Sequence, residues 1–370
     1  MRRALITILS MLALSLSSCT SSTNTTPSEA TQAPTTPQSG SYTIIASTSI
    51  LADITQQIVG DTAIVKSLVG AESDAHVYEP SPADGVEVAN ASALIAIGLE
   101  FEPWFEELYA ASGSTAPYII ASADISPLPA NKHADAHAGE SADAHAGESA
   151  DAHADESADA HAGESADAHA GESADAHAGE SADAHAHGEF DPHVWQNVQH
   201  VIVMVKHITT ELSAIMPEHA NTLQANADSY IATLSALDNE IAAQIEQIPA
   251  ERRILVTNHD TMSYFATRYG LTIVGTVLGS VTTESGDPGA NQIVELVATI
   301  KASGAPAIFI EAFGNDDIVE TIAREAGVVV APALYTDALG KTGSAGQTYV
   351  DMMRYNSQTI YQALGETSGQ

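Results

Sequence analysis

Along residues 41 to about 130, short apolar runs alternate with stretches of helical spacing. Tyr42 to Ser47 is a β-rich run, and Ile50 to Val59 carries its apolar residues at helical intervals. Ala63 to Val69, Ala93 to Ile97 and Tyr118 to Ala121 repeat the strand pattern. Ser81-Pro82-Ala83-Asp84 predicts a helix start, with a Ser cap, Pro at the first helical position and an acid three residues beyond the cap. Helical spacing resumes from Val194 to Met216. From Pro217 to Gln247 the apolar positions Leu223, Tyr230, Leu234, Leu237, Ile241 and Ile245 predict one unusually long helix, ended by Pro249. At about 1.5 Å per residue it would run roughly 45 Å, enough to cross between two domains. Strand patterns return at Ile254–Thr257, Thr272–Gly275, Ala307–Ile310 and Val328–Val330, with helices between them and a last one over Ala345–Leu364.

Strands alternating with helices predict parallel βαβ units. The expected fold class is α/β: two lobes, each a mainly parallel sheet flanked by helices, joined by one long backbone helix. The boundaries expected are an N-terminal lobe over 41–216, a linking helix over 217–248 and a C-terminal lobe over 249–370.

Two segments break this pattern. The first 18 residues have a charged start (Arg2, Arg3) and an apolar run from Ala4 to Leu16, too short to span a bilayer and of the length of a secretory leader. The run ends in Leu16-Ser17-Ser18-Cys19, which resembles a bacterial lipobox, and Cys19 is the only cysteine. A lone cysteine forms no internal disulfide, so lipid attachment at Cys19 is the role expected for it. Residues 19–40, rich in Ser, Thr and Pro, read as a flexible tether. The second break, residues 131–189, repeats Ala-Asp-Ala-His-Ala-Gly-Glu-Ser. It carries His133, His137, His145, His153, His161, His169, His177, His185 and His187, and no residue larger than His from 133 to 189. Such a stretch has nothing with which to build a core. A disordered, His-rich loop inserted in the N-terminal half is expected, able to bind zinc weakly at many sites. A soluble repeat expansion without function is the bland alternative.

Charge narrows the partners. The chain has 12 Lys+Arg against 48 Asp+Glu, a formal net charge of −36. That argues against nucleic acid, which needs a basic patch, and disfavours docking on anionic lipid except through the N-terminal anchor. An acidic surface gathers cations.

Four short segments carry candidate chemistry: Asp74-Ala75-His76-Val77-Tyr78-Glu79-Pro80, Phe190-Asp191-Pro192-His193-Val194-Trp195, Val256-Thr257-Asn258-His259-Asp260, and Tyr335-Thr336-Asp337-Ala338-Leu339-Gly340. Each potential ligand falls at the carboxyl end of a predicted strand or in the loop beyond it, where open α/β sheets collect ligands. Imidazoles with one carboxylate suit a borderline-soft ion such as Zn²⁺ in tetrahedral geometry. His200, His207 and His219 lie on polar helical stretches and read as surface residues. Trp104 and Trp195 read as packing residues, and Asp191 and Asp260 as groups that orient histidines or cap helices.

These segments, with Gly98 to Leu108 (GLEFEPWFEEL) and Ile308 to Gly327 (IFIEAFGNDDIVETIAREAG), resemble the metal-binding (cluster A-I, or cluster 9) substrate-binding proteins of ABC importers. The resemblance covers residues 41 to 130 and 189 to 365. It implies His76, His193, His259 and Asp337 as ligands of a transported divalent metal ion, with Glu311 a supporting or alternative carboxylate. Family members that prefer manganese typically have a carboxylate where His259 stands, so Zn²⁺ is favoured over Mn²⁺ or Fe²⁺. Some zinc members have glutamate where this chain has Ala75. The resemblance further implies an extracytoplasmic, lipid-anchored, monomeric protein that passes metal to an ABC permease. A surface zinc metallohydrolase is the rival enzyme reading, disfavoured by the lack of His-Glu-x-x-His. A metal-buffering adhesin is the other rival.

Overall fold

The computed structural model describes residues 42–130, 188–283, 288–311 and 316–365. The leader, Cys19, the tether and the nine repeat histidines lie outside the described residues. In the N-terminal half, β1 (Tyr42–Ala46), β2 (Ala63–Ser67), β3 (Ala93–Ala96) and β4 (Tyr118–Ile120) form an all-parallel sheet in the order β2-β1-β3-β4. Helices α1 (Ser49–Val59), α2 (Pro82–Ala89) and α3 (Pro103–Ser112) alternate with the strands. Every residue of β3 is buried, as its uninterrupted apolar run requires of a central parallel strand. The Ser81 cap forms as read: the Ser81 hydroxyl accepts from Asp84 N and the Asp84 carboxylate accepts from Ser81 N.

The helical pattern from Val194 divides at Asn197. A turn of 3-10 helix (Val194–Gln196) precedes α4 (Val198–Ile215), because the Asn197 side chain accepts from Gln199 N at 2.9 Å and restarts the helix as its cap. The long helix forms as α5 (Ala220–Ile245), 26 residues after a 3-10 turn at Pro217–His219. Its length is about 39 Å. It packs against α4, α1 and the C-terminal helix, and its buried face is the expected stripe of Leu223, Tyr230, Leu234, Leu237, Ile241 and Ile245.

The second half contains β5 (Ile254–Thr257), α6 (Ser263–Tyr269), β6 (Thr272–Thr276), α7 (Ala290–Ser303), β7 (Ala307–Glu311), α8 (Asp316–Ala326), β8 (Val329–Leu334) and α9 (Tyr349–Gly365). β5 pairs with β6 and β7 with β8, both parallel, and β5 runs beside β7. The register of β7 on β8 slips by one residue between Phe309 and Glu311. Pro332 lies opposite that slip and has no N–H for the ladder. A bulge of this kind re-aims nearby side chains, and Glu311 follows it. The last helix starts four residues later than the pattern suggested, where Thr348 caps it by accepting from Asp351 N and donating to the Asp351 carboxylate.

One hydrophobic core runs from β1 and α1 through α4 and α5 to α6 and α9, so both lobes share it. A smaller cluster lies among β5, β7, α7 and α8. The polar centre of the shared region is Asp238 of α5, only 2% exposed. Arg268 and Tyr269 of α6 and Gln199 of α4 all donate to its carboxylate, Gln199 at 2.8 Å and Tyr269 at 3.0 Å. Burial would raise the Asp238 pKa, but these hydrogen bonds and the Arg268 charge lower it. Arg268 is exposed, so its removal leaves the buried Asp238 charge without a cation. Arg268→Ala is therefore expected to lower stability by about 3 kcal/mol in urea denaturation monitored by circular dichroism.

Candidate metal centre

The site forms where the strand-end loops of the two lobes meet. His76 lies in the loop after β2, its backbone N donating to Asp74 Oδ1 at 2.9 Å. The preceding carbonyl, that of Ala75, accepts from Trp104 Nε1 at 2.8 Å, so α3 holds this loop down. His193 follows the antiparallel bridge Pro129–Phe190 and precedes the 3-10 turn. Asp191 Oδ1 grips it twice, at its backbone N (2.9 Å) and at Nδ1 (2.7 Å). His259 is two residues past β5, and Glu311 repeats the arrangement there: Oε1 is 3.1 Å from His259 N and 2.8 Å from Nδ1. The other Glu311 oxygen accepts from Thr336 Oγ1 at 2.9 Å.

Asp337 lies three residues past β8 in a loop fixed from both sides. Trp195 Nε1 and Gln196 Nε2, from the first half of the chain, donate to Thr336 O at 2.7 and 2.9 Å. The Tyr335 ring packs on Gly340 and Gly346 so closely that a Cβ on Gly346 would come within 2.5 Å of it. Only glycine permits that approach. Thr261 Oγ1 donates to Asp337 Oδ1 at 3.3 Å.

These constraints aim four side chains at one point. His76, His193, His259 and Asp337 are buried, and one ligand atom from each lies within 4.8 Å of all the others. Asp337 Oδ2 is 3.2 Å from His259 Nε2 and 3.6 Å from His76 Nε2, and Oδ1 is 3.6 Å from His193 Nε2. All three Nε2 atoms and Asp337 Oδ2 are buried without a hydrogen-bond partner. A buried polar atom left unpaired costs about 1–3 kcal/mol, so four at one point need a reason. The carboxylates on Nδ1 of His193 and His259 supply one. An Nδ1–H donated to a carboxylate fixes the tautomer with the lone pair on Nε2, the form that ligates a metal. Burial disfavours charge on His259, yet the Glu311 and Asp337 charges outweigh it and raise its pKa well above the ordinary value. Burial likewise acts against ionised Asp337, and the facing imidazoles outweigh it and hold the carboxyl well below the usual range.

Glu311 sits behind His259, on the Nδ1 edge of the ring rather than among the Nε2 atoms. Asp260 accepts from Ser263 Oγ at 2.7 Å and is not one of the four clustered side chains. Both tryptophans anchor ligand-bearing loops through their indole N–H groups. His207 pairs with Asp124 at 3.0 Å. His200 is half-buried against Tyr264, with a pKa lowered by burial, because α4 turns it toward α6 rather than to solvent. Thr261, Thr336, Asp74 and Phe101 are the contributors that sequence reasoning missed. Phe101 stands edge-on to His76 (4.7 Å between centroids) and His193 (5.8 Å). It follows Leu99 (φ 57) and Glu100 (φ 59), which take the left-handed conformation costly for side chains other than Gly.

That strained turn also buries Glu102 at the carboxyl ends of β1 and β3, the switch point of the sheet. Glu102 Oε1 accepts from Ser47 Oγ at 2.8 Å and from Ile97 N at 2.5 Å, while Oε2 has no partner. Burial pushes its pKa up to about 7 against these hydrogen bonds. A carboxyl raised on folding favours its protonated form. Its stabilising contribution is full below the unfolded value near 4.5 and is lost as pH rises through about 7. The parent chain is expected to lose about 2 kcal/mol relative to Glu102→Gln between about pH 5 and pH 8, read from paired denaturation curves.

Comparison with known proteins agrees with this geometry. Residues 44–363 match the family model described as "ZnuA: Zinc-uptake complex component A periplasmic". The chain belongs to this family. Manganese-binding lipoprotein MntA of Halalkalibacterium halodurans is 28% identical over 323 residues, covering 87% of this chain and 88% of that protein. Iron-binding protein YfeA of Yersinia pestis is 24% identical over 326 residues, 88% and 87% of the two chains. The solved periplasmic zinc-binding protein TroA from Treponema pallidum superposes with a TM-score of 0.68 at 25% identity, covering 88% of this chain and 100% of that one. Such two-lobe neighbours bear out the α/β architecture with a long helix. The family's members are substrate-binding transport proteins rather than enzymes, and this chain is an extracytoplasmic metal-binding protein of the ABC-importer class. Among the described residues no helix is long and apolar enough to cross a membrane.

Proposed function

We propose that His76, His193, His259 and Asp337 hold one Zn²⁺ as transported cargo, and that the chain passes it to an ABC permease while anchored to the membrane through lipid on Cys19. The observation that carries this reading is the set of four buried, unpartnered ligand atoms within 4.8 Å of one another. Three imidazole nitrogens and one carboxylate oxygen are a borderline-soft, four-donor set of the kind Zn²⁺ takes in tetrahedral geometry. Four protein ligands also close the site. A catalytic zinc keeps a position open for water, so the arrangement favours carriage over hydrolysis.

The relatives are named for manganese, iron and zinc, so the ion is decided by competition and not by kinship. Nitrogen donors bind zinc more tightly than manganese or iron(II) in any such site, which makes the measured ratio the informative quantity. Titration calorimetry of the metal-free chain is expected to resolve one tight Zn²⁺ site above any weaker ones. The triple variant His76→Ala, His193→Ala, His259→Ala is expected to lose the tight site alone. A tight manganese site with weak zinc would overturn the zinc reading, and no tight site would overturn the ligand set. The nine repeat histidines are proposed to add weak sites, which a chain lacking residues 133–187 would lose while keeping the tight one.

The carboxylates on the Nδ1 atoms act through the histidines they orient. Asp191→Ala and Glu311→Gln are each expected to weaken zinc binding by roughly 10–100-fold in the same titration while leaving its stoichiometry unchanged.

A further inference from the structure

The four clustered side chains are not equally covered. His76 is 8% exposed, whereas His193 and His259 are 0% and Asp337 is 1%. Of the four, His76 is the one that meets solvent, so an ion reaches or leaves the cluster past His76 and its loop. That loop joins β2 to α2 and is moored to both halves of the chain. Trp104 of its own lobe holds the Ala75 carbonyl. Asp74 ties it to the other lobe: Oδ1 accepts from His76 N at 2.9 Å, and Oδ2 accepts from the Thr283 hydroxyl at 2.7 Å. Thr283 ends a segment that follows β6 and is bound to the His259 turn. Val277 N donates to Thr257 O at 3.0 Å, Leu278 N to Asn258 O at 2.8 Å, and Asp260 N to Ser280 O at 2.8 Å. One carboxylate thus links the backbone of one clustered histidine to the segment that braces another. A hydroxyl donating to a carboxylate makes a charge-assisted bond, stronger than one between neutral groups. Further back along the loop, Glu72 takes a left-handed backbone (φ 54). Its N donates to Leu339 O at 2.9 Å and its carboxylate pairs with Lys341.

We infer that the Asp74–Thr283 hydrogen bond is a latch on the path of the ion: it sets how fast metal enters and leaves, while the four ligands set how tightly it is held. The inference rests on the reading of His76, His193, His259 and Asp337 as the cargo site. Neither Asp74 nor Thr283 is among the clustered side chains, so breaking their contact takes no donor from the ion. With the contact made, the His76 segment is fixed across the cleft and its ring covers the cluster. With the contact broken, the segment beyond Glu72 rests on its own lobe and His76 can swing outward. Loops that close over a site govern passage in this way, through a few contacts away from the chemistry. A latch raises the barrier in both directions, so its loss speeds entry and exit together. A residue that only steadied the bound ion would speed exit alone and weaken affinity by the same factor. Asp74 and Thr283 are positioning residues, and the balance of rates against affinity separates the two roles.

The test compares the full-length parent with Thr283→Val, which keeps the side-chain shape and removes the hydroxyl, and with Thr283→Ser, which keeps the donor. Stopped-flow release of Zn²⁺ into excess chelating dye gives the exit rate, mixing of metal-free protein with Zn²⁺ gives the entry rate, and chelator competition gives the affinity. The triple histidine variant defines the background from any weaker sites. Thr283→Val is expected to raise both rates roughly tenfold while affinity moves by less than about threefold, with Thr283→Ser matching the parent. If Thr283→Val does not fold, Thr283→Ala is read in its place with the same expectation. Unchanged rates in the hydroxyl-free variant, an equal change in Thr283→Ser, or faster exit with an equal loss of affinity overturns the latch while leaving the site standing. A parent without a tight site above the triple-variant background overturns the site reading and this inference together.

Discussion

Desolvation is the constraint on which the rest of this molecule depends. Three imidazole Nε2 atoms and one carboxylate oxygen are held out of water with no hydrogen bonds of their own. Left to themselves, such groups would rotate toward solvent or toward each other. The surrounding structure prevents this by engaging the far side of each group: Asp191 on His193, Glu311 on His259, the Thr336 carbonyl clamp beside Asp337, and Asp74 with Trp104 on the His76 loop. Asp191, Glu311, Thr336 and Trp104 are themselves buried, and the half-buried Asp74 is held by the Thr283 hydroxyl. The cost of arranging the four atoms is thus distributed over both lobes and is offset by the fold as a whole.

The long helix gives that distribution its rigidity. Because α5 is packed against α1, α4 and α9, and because one hydrophobic core passes under both lobes, the halves share buried surface in addition to their connecting chain. Asp238 adds a polar tie between α4, α5 and α6 within that shared region. A fold of this kind opposes wide hinge opening, since separation of the lobes would expose core residues and unpair a buried charge. Ion exchange then calls for local adjustment of loops rather than for bending of the backbone helix.

Much of the architecture was legible in the residues. The two periods of hydrophobicity separated strands from helices, Ser81 and Pro82 announced α2, and the stripe from Leu223 to Ile245 announced α5. His76, His193, His259 and Asp337 were legible as a set because each followed a strand pattern and matched a block of a known family. What was not legible was the layer behind them. Thr261 and Thr336 carry no signal in a single sequence, since a buried threonine and a surface one look alike until their neighbours are known. Phe101 was hidden because a left-handed pair, Leu99 and Glu100, carries its ring to the histidines, and nothing in side-chain chemistry predicts non-glycine residues there. Boundaries moved for the same local reason in two places: Asn197 and Thr348 capped helices that hydrophobic spacing alone extended through them.

The bridge between Pro129 and Phe190 has a further consequence. Ala130 N donates to Glu189 O and Asp191 N to Leu128 O, so the chain leaves and re-enters the N-terminal lobe at adjacent points. The segment between them is built of interchangeable eight-residue units. Its two ends being neighbours already, units can be gained or lost without shifting either end or the Asp191–His193 grip that follows. The lobe therefore carries a point at which the inserted length can change without displacing the metal-facing geometry a few residues away.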